Sequence, residues 1–299
     1  MILNPRARGG ATARLQRPLQ SLLSEAGLQH ALLMPASVQA ACHLVNALPA
    51  GSRIIVAGGD GSVHALLPTI LAGGHSLAII PAGSGNDTAR AIGVHKLGLK
   101  AALHHAICGA TMLVDVGQAD FIDADSGHDR TVLFISSLSA GFDASISLRA
   151  REGPQWLSGM PRYLWATLTE LRSLRTWPLQ LTIDDDALHK GSALFATSLN
   201  TSSFGGGMPA MQHARINDGK LNLLLAGDIR MREVLHLLPR LLTGLHLGQP
   251  KVRHQDFERL HIQSQEPVPI AADGEFLGST KEIKIQIRTA CLPIVYRTG

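Results

Sequence analysis

Two apolar runs, "RIIVAGG" and "SLAIIPAG", each break into a glycine-rich turn that opens a helical stretch, and they follow one another closely in the first third of the chain. Strands that alternate with helices in this way call for a parallel sheet covered on both faces, which restricts the fold more than any other feature. Around these runs the alternation continues. "MILNP" reads as a short strand, Ala11 to Ala26 as a helix, "QHALLMP" as extended and Val38 to Leu48 as helical. Ser62 to Leu71 and Asp87 to Ile92 then read as helices after the two glycine-rich turns, followed by "HKLGLKAALHHAICG". An α/β domain over residues 1–120 is expected.

Beyond Thr111 the texture changes to short β-rich segments separated by turn residues, such as "TMLVDVGQADFI", "LQLTIDD", "KLNLLLAG" and "KEIKIQIRT". This predicts a mostly antiparallel, sandwich-like second domain over 121–285, with 286–299 returning to the first. Helical insertions are expected around Pro161 to Trp177 and Met231 to Leu247. A length of 299 residues accommodates two domains of ordinary size.

The 45% hydrophobic and 17% charged content supplies a core and excludes a disordered chain. A net charge of +4 with scattered arginines suits an anionic ligand or membrane surface as readily as a plain basic surface, and no nucleic-acid partner is expected. Cys42, Cys108 and Cys291 lie far apart without CxxC spacing, poor material for a disulfide framework or zinc site, so a reducing, cytoplasmic setting is expected. The opening "MILNPRARGG" lacks a basic segment followed by a long apolar one and no run of about 18 apolar residues occurs, so neither export nor a membrane-spanning helix is expected. HExxH and GxSxG are missing, which disfavours a zinc hydrolase and an α/β-hydrolase.

A strand ending in Gly58-Gly59-Asp60-Gly61-Ser62 and turning into a helix presents backbone N–H groups to an anion, and glycines allow close approach. The chain has neither a Walker lysine motif nor a complete GxGxxG. Asp60 would repel a phosphate unless it held a divalent cation, and Mg²⁺ on a triphosphate meets that requirement. Alternatively, Asp60 or Ser62 caps the helix that follows. Gly83-Ser84-Gly85-Asn86-Asp87 repeats the device one strand later, at the sheet edge where ligands of parallel sheets bind.

"GGDGS" followed by "PAGSGNDTAR" resembles the GGDGT and GTxND motifs of the diacylglycerol kinase catalytic-domain family, which includes bacterial lipid kinases and sphingosine kinases. "ILNPRARGG", "SAGFDAS", "NTSSFGGGMPAMQHARINDGKLNLLL" and "AADGEFLG" extend the resemblance along nearly the whole chain in family order. Ser62 and Ser84 replace the usual threonines and keep the hydroxyl. His64-Ala65 stands where many members have Asn-Glu.

The resemblance implies an ATP- and Mg²⁺-dependent lipid kinase with its active site in an interdomain cleft. ATP·Mg²⁺ would sit on Gly58 to Ser62 and Gly83 to Asn86, with Asp60 and Asp87 beside it and Asn4 closing the pocket. Glu275 matches the family's proton acceptor, and Asp273 would assist it or bind a cation. An ordinary turn at Asp273-Gly274 is the alternative. A structural Mg²⁺ is implied at Asp218 with the backbone carbonyls of Arg215 and Lys220, although Asp218-Gly219 also reads as a tight turn entering a strand.

The stretch "MPRYLWATLTELRSLRTWPLQL" places Tyr163, Leu164, Trp165, Leu168, Leu171 and Leu174 near one stripe, with Arg162, Arg172 and Arg175 around it. Such a helix could seat on anionic headgroups, cover a lipid pocket, or dock on its own sheet. The acceptor is expected to be a lipid alcohol (diacylglycerol, a monoacyl or sphingoid alcohol, or phosphatidylglycerol), met through peripheral contact with the inner face of the membrane. A kinase of a soluble alcohol and a non-catalytic lipid- or nucleotide-binding regulator are the other readings. His64 and Ala65 favour the regulator, while Asp60, Asp273 and Glu275 oppose it.

Overall fold

The computed structural model describes residues 1–5, 7–28, 32–154, 156–157 and 159–297. It divides into unit 1, residues 1–114 and 290–299, and unit 2, residues 115–289.

Unit 1 opens with β1 (Ile2–Leu3), a 3-10 helix (Ala7–Leu15) and α1 (Gln16–Glu25). Then come α2 (Val38–Asn46), β2 (Arg53–Gly58), α3 (Asp60–Ala72), β3 (Ser76–Pro81), α4 (Asp87–Ala91) and α5 (Leu99–Cys108). Of the expected strand "QHALLMP", Gln29 to Ala31 lie outside the described residues, and Leu33 makes a parallel bridge to Ile2. The strands are parallel, with Leu3 opposite Ala57, Gly58 opposite Pro81, and Ile294 near the end of the chain opposite Leu77.

Side-chain alternation along these strands divides the core. Ile55, Ala57, Ala78 and Ile80 pack with Leu19 and Leu23 of α1 and Leu103 and Ala106 of α5. The helix α3 buries Val63, Leu66, Leu67 and Ile70 and packs on α2 and β2. The Arg53 guanidinium donates to the carbonyls of Ala106 (3.3 Å) and Ile107 (2.6 Å), two of the carbonyls that the end of α5 leaves open.

Unit 2 is antiparallel. The chain enters along β4 (Thr111–Ile122) and continues through β5 (Asp129–Phe134), β6 (Ser137–Gly141), α6 (Phe142–Glu152) and α7 (Met160–Glu170). It proceeds through β7 (Trp177–Ile183), β8 (Asp186–Ala193), β9 (Phe195–Leu199), β10 (Leu221–Ala226) and α8 (Met231–Thr243). It ends in β11 (Val252–Phe257), β12 (Arg259–Ala272) and β13 (Glu275–Val295), whose last residues belong to unit 1.

One long strand, β12, pairs with β13 and also with two further strands. Its first half pairs with β7 (Leu260 opposite Ile183) and its last residues pair with β6 (Ile270 opposite Ala140). The β12–β13 register slips between Gln263 and Val268, where Pro267 lacks the N–H a ladder needs. Phe134, Leu138, Phe142, Trp177, Leu181, Leu223 and Phe257 belong to the core enclosed here. The helix α6 had no counterpart in the sequence reading. Its buried residues Phe142, Asp143, Ala144 and Ile146 cluster at its start, and the remainder is serine- and arginine-rich without a sustained apolar stripe.

Candidate active site

Adjacency of β2 and β3 puts the two glycine-rich turns side by side. A β-carbon on Gly58 would come within 2.7 Å of the Ser62 hydroxyl, so the residue must be small for the turn itself to close. Gly59 and Gly83 meet backbone to backbone. The missing β-carbons therefore serve the packing of the chain as well as any ligand.

Asp60 ties the turns together. Its carboxylate accepts from the amides of Asp87 (3.0 Å) and Thr88 (3.1 Å), so it caps α4 of the neighbouring turn rather than its own helix. Asn86, in the left-handed region at φ 56°, accepts from the Gly83 amide at 3.0 Å and donates to the Gly83 carbonyl at 2.9 Å. This closes the 83–86 loop. Among the described residues, the amides of Ser84, Gly85 and Asn86 make no hydrogen bond within the chain, which leaves three donors that an anion could use.

Asn4 reaches the same place from the end of β1, its Nδ2 donating to the Ser62 hydroxyl at 2.8 Å. Asp87 is buried and lies 3.9 Å from Arg90, which also donates to the Gly85 carbonyl at 3.2 Å. Unit 1 thus gathers Asn4, Gly58, Gly59, Asp60, Ser62, Gly83, Asn86 and Asp87 around one pair of turns.

In unit 2, Asp273 and Gly274 are the two central residues of the β12–β13 hairpin, at φ 49° and 84°, the left-handed pair that a tight hairpin of this type requires. The turn is more than a connector. The Asp273 carboxylate is buried and accepts from the amides of Ile135 (3.1 Å), Ser136 (2.8 Å) and Ser137 (3.1 Å). Glu275 pairs with Ala272 across the hairpin and its side chain is exposed.

Arg215, Asp218 and Lys220 share a second turn of unit 2, where the Asp218 carboxylate accepts from the Lys220 amide at 3.2 Å. Burial raises the Asp218 pKa, with the neighbouring Asp115 and Asp256 charges adding to it. Asp115, which the sequence reading passed over, is buried in β4 and accepts from the Gly219 amide at 2.8 Å. A carboxylate in the middle of the apolar run "MLVDVG" was the signal for it. Two close carboxylates and the carbonyls of a turn suit a hard divalent cation. Among the described residues no three acidic, histidine or cysteine side chains group as metal ligands, so an ion here would also need carbonyls or water.

Unit 2 also contains an apolar pocket. Phe142 and Ile146 of α6, Tyr163 of α7, Leu224 of β10 and Leu237 and Leu241 of α8 help to line it. Asp143 is among its polar lining residues and accepts from the hydroxyls of Ser139 (2.5 Å), Thr197 (3.3 Å) and Tyr163. Burial raises the Asp143 pKa, and burial beside Asp143 raises that of Tyr163. The motif "SAGFDAS" pointed to this region without assigning Asp143 a part in it.

Comparison with known proteins agrees with both halves. The diacylglycerol kinase catalytic domain profile matches residues 1–119, and the profile of the YegS C-terminal NAD kinase beta sandwich-like domain matches residues 136–296. A diacylglycerol kinase of Mycobacterium tuberculosis is 30% identical over 277 residues, 92% of this chain and 87% of that protein. The chain belongs to the diacylglycerol kinase family. A further member, the diacylglycerol kinase of Bacillus subtilis, is 26% identical over 75% of this chain and 71% of its own length. The crystal structure of a diacylglycerol kinase from Bacillus anthracis superposes with a TM-score of 0.65 at 18% identity, covering 99% of this chain and 95% of that one, so the family fold extends throughout. No described helix is long and apolar enough to cross a membrane.

Proposed function

We propose that this family member is an ATP- and Mg²⁺-dependent kinase that phosphorylates the hydroxyl of a diacylglycerol-like lipid alcohol. The observation that carries the reading is the joined pair of turns in unit 1, with the open amides of Ser84, Gly85 and Asn86 beside Asp60. Amides in this arrangement bind phosphate oxygens without adding charge. Besides capping α4, the Asp60 carboxylate would hold the cation that accompanies the phosphates. Gly58, Gly59, Gly61 and Ser62 flank the same phosphates, and Asn4 fixes the Ser62 hydroxyl.

In the transfer, the acceptor hydroxyl oxygen forms a bond to the γ-phosphorus as the bond to the β-phosphate oxygen breaks, and the hydroxyl proton passes to the Glu275 carboxylate. The products are ADP and a lipid phosphate. Asp273 acts by positioning, because its carboxylate fixes the hairpin that carries Glu275. Asp218, with the carbonyls of Arg215 and Lys220 and the nearby Asp115, would hold a structural Mg²⁺. The charge of that ion would offset the repulsion between the two carboxylates.

The apolar pocket of unit 2 favours a lipid over a soluble acceptor. An acceptor held in a bilayer requires peripheral membrane contact, and ATP as donor places the enzyme on the cytoplasmic side. The test is ADP release over a panel of lipid alcohols in mixed micelles and a panel of soluble alcohols. Turnover on lipids, lost in Glu275→Ala and Asp60→Ala, is expected. Turnover on soluble alcohols alone would replace this reading with the soluble-acceptor one, and nucleotide binding without any ADP release would leave a regulator.

A further inference from the structure

The helices α7 and α8 both line the apolar pocket with one face, α7 through Tyr163 and Thr167 and α8 through Val234, Leu237, Leu238 and Leu241. Both helices also turn large apolar side chains to solvent, where a helix on a globular surface ordinarily carries polar residues. Here Leu168 is 54% exposed and Leu235 is 50% exposed, and Met231 lies one turn before Leu235. Beyond the helices, Trp156 is 82% exposed and Leu245 is 68% exposed. Large apolar side chains at such exposures, grouped on two helices that share a pocket, are costly in water and suit an interface.

The charge around them is predominantly positive. Residues 149–175 and 230–251 contain nine Arg and Lys against three Glu, an excess larger than the +4 of the whole chain. All three acids face bases of the same segments. Glu152 and Glu170 lie beside Arg149 (3.8 and 3.0 Å), and Glu233 lies beside Lys251 (2.8 Å). Arg172 continues the exposed line of Leu168 at the next turn, and Arg232 stands beside Met231 on the outer face of α8.

We propose that the outward faces of α7 and α8 form a docking surface for an anionic lipid bilayer. The inference rests on the lipid-kinase reading for its purpose, since it puts the acceptor's source beside the helices that line the apolar pocket. Leu168, Leu235 and Trp156 enter the boundary between headgroups and acyl chains, while Arg172 and Arg232 meet the anionic headgroups. A protein surface as partner would not demand this combination of predominantly positive charge and exposed leucine and tryptophan side chains.

The test is flotation of the full chain, without nucleotide, with vesicles of phosphatidylcholine alone and with vesicles of equal parts phosphatidylcholine and phosphatidylglycerol. Binding is expected to the mixed vesicles only, weakened by salt, and reduced at least about tenfold in Leu168→Asp/Leu235→Asp and in Arg172→Glu/Arg232→Glu. Turnover on a short-chain, monomeric diacylglycerol should remain within about twofold in both variants, since none of these side chains lines the pocket. No binding to the mixed vesicles, equal binding to both kinds, or variants that bind like the wild type would overturn the proposal. So would a wild-type dimer dissolved by the leucine variant, which would make the face a contact between copies. Failure of the wild type to phosphorylate the monomeric acceptor would instead count against the kinase reading, whatever the vesicles show.

Discussion

A β-carbon on Gly83 would lie 2.2 Å from the Cα of Gly59, and one on Gly59 would lie 2.6 Å from the Cα of Gly83. Backbone cannot yield as the end of a flexible side chain can. Gly83→Ala should therefore push the two turns apart and carry the open amides of Ser84 to Asn86 with them. The expected outcome is a stability loss of about 1–3 kcal/mol and a fall in nucleotide affinity of at least about tenfold. Thermal unfolding and titration calorimetry with an ATP analogue measure the two effects separately.

Asp60 has a structural and a chemical role that substitutions can divide. Asp60→Asn keeps one oxygen to accept an α4 amide and loses the charge that holds a cation. Turnover should fall at least about a hundredfold while stability drops by about 1 kcal/mol or less. Asp60→Ala loses both, with a stability cost of about 0.5–2 kcal/mol from the cap alone. Equal turnover in Asp60→Asn and wild type would limit the residue to capping.

The hairpin tip separates scaffold from chemistry within three residues. Asp273→Ala leaves the amides of Ile135, Ser136 and Ser137 without their acceptor, and at about 1–3 kcal/mol per unsatisfied buried group it should be among the most damaging single changes in unit 2. Glu275→Gln alters an exposed side chain and should leave stability within about 0.5 kcal/mol, yet reduce turnover about 10²- to 10⁴-fold. Chemical denaturation beside initial-rate assays checks the split.

The parallel strands of unit 1 and their glycine-rich turns were legible because periodicity and turn chemistry are local signals. So was the Asp273-Gly274 hairpin, whose residue pair suits the backbone it adopts. The partners of the acidic residues were not legible. That Asp60 caps α4, that Asp273 collects three amides far away in sequence, and that Asp115 lies beside the 215–220 turn all depend on which segments the fold brings together. The helix α6 escaped because its burial is concentrated at one end, and Asp143 because a carboxylate after Gly-Phe says nothing of the three hydroxyls that approach it.

The raised pKa of Asp218 gives a pH dependence with a definite sign. In the absence of a cation, the folded state holds the Asp218 proton more tightly than the unfolded chain. Its contribution to stability therefore falls as pH rises from the ordinary aspartate range through the raised folded value. A bound cation competes with that proton. Mg²⁺ should thus raise the melting temperature more at pH 7.5 than at pH 5, and Asp218→Asn should lose the increment. Calorimetric scans with and without Mg²⁺ at both pH values decide it.

The most direct test of the account is transfer of labelled γ-phosphate from ATP to a diacylglycerol in mixed micelles with Mg²⁺, followed by separation of the lipid product. Label in a lipid phosphate with the wild type, and none above background with Glu275→Gln or Asp60→Asn that remain folded, is the predicted result. Label that stays in ATP, or enters the lipid equally with Glu275→Gln, would contradict the assignment of the site.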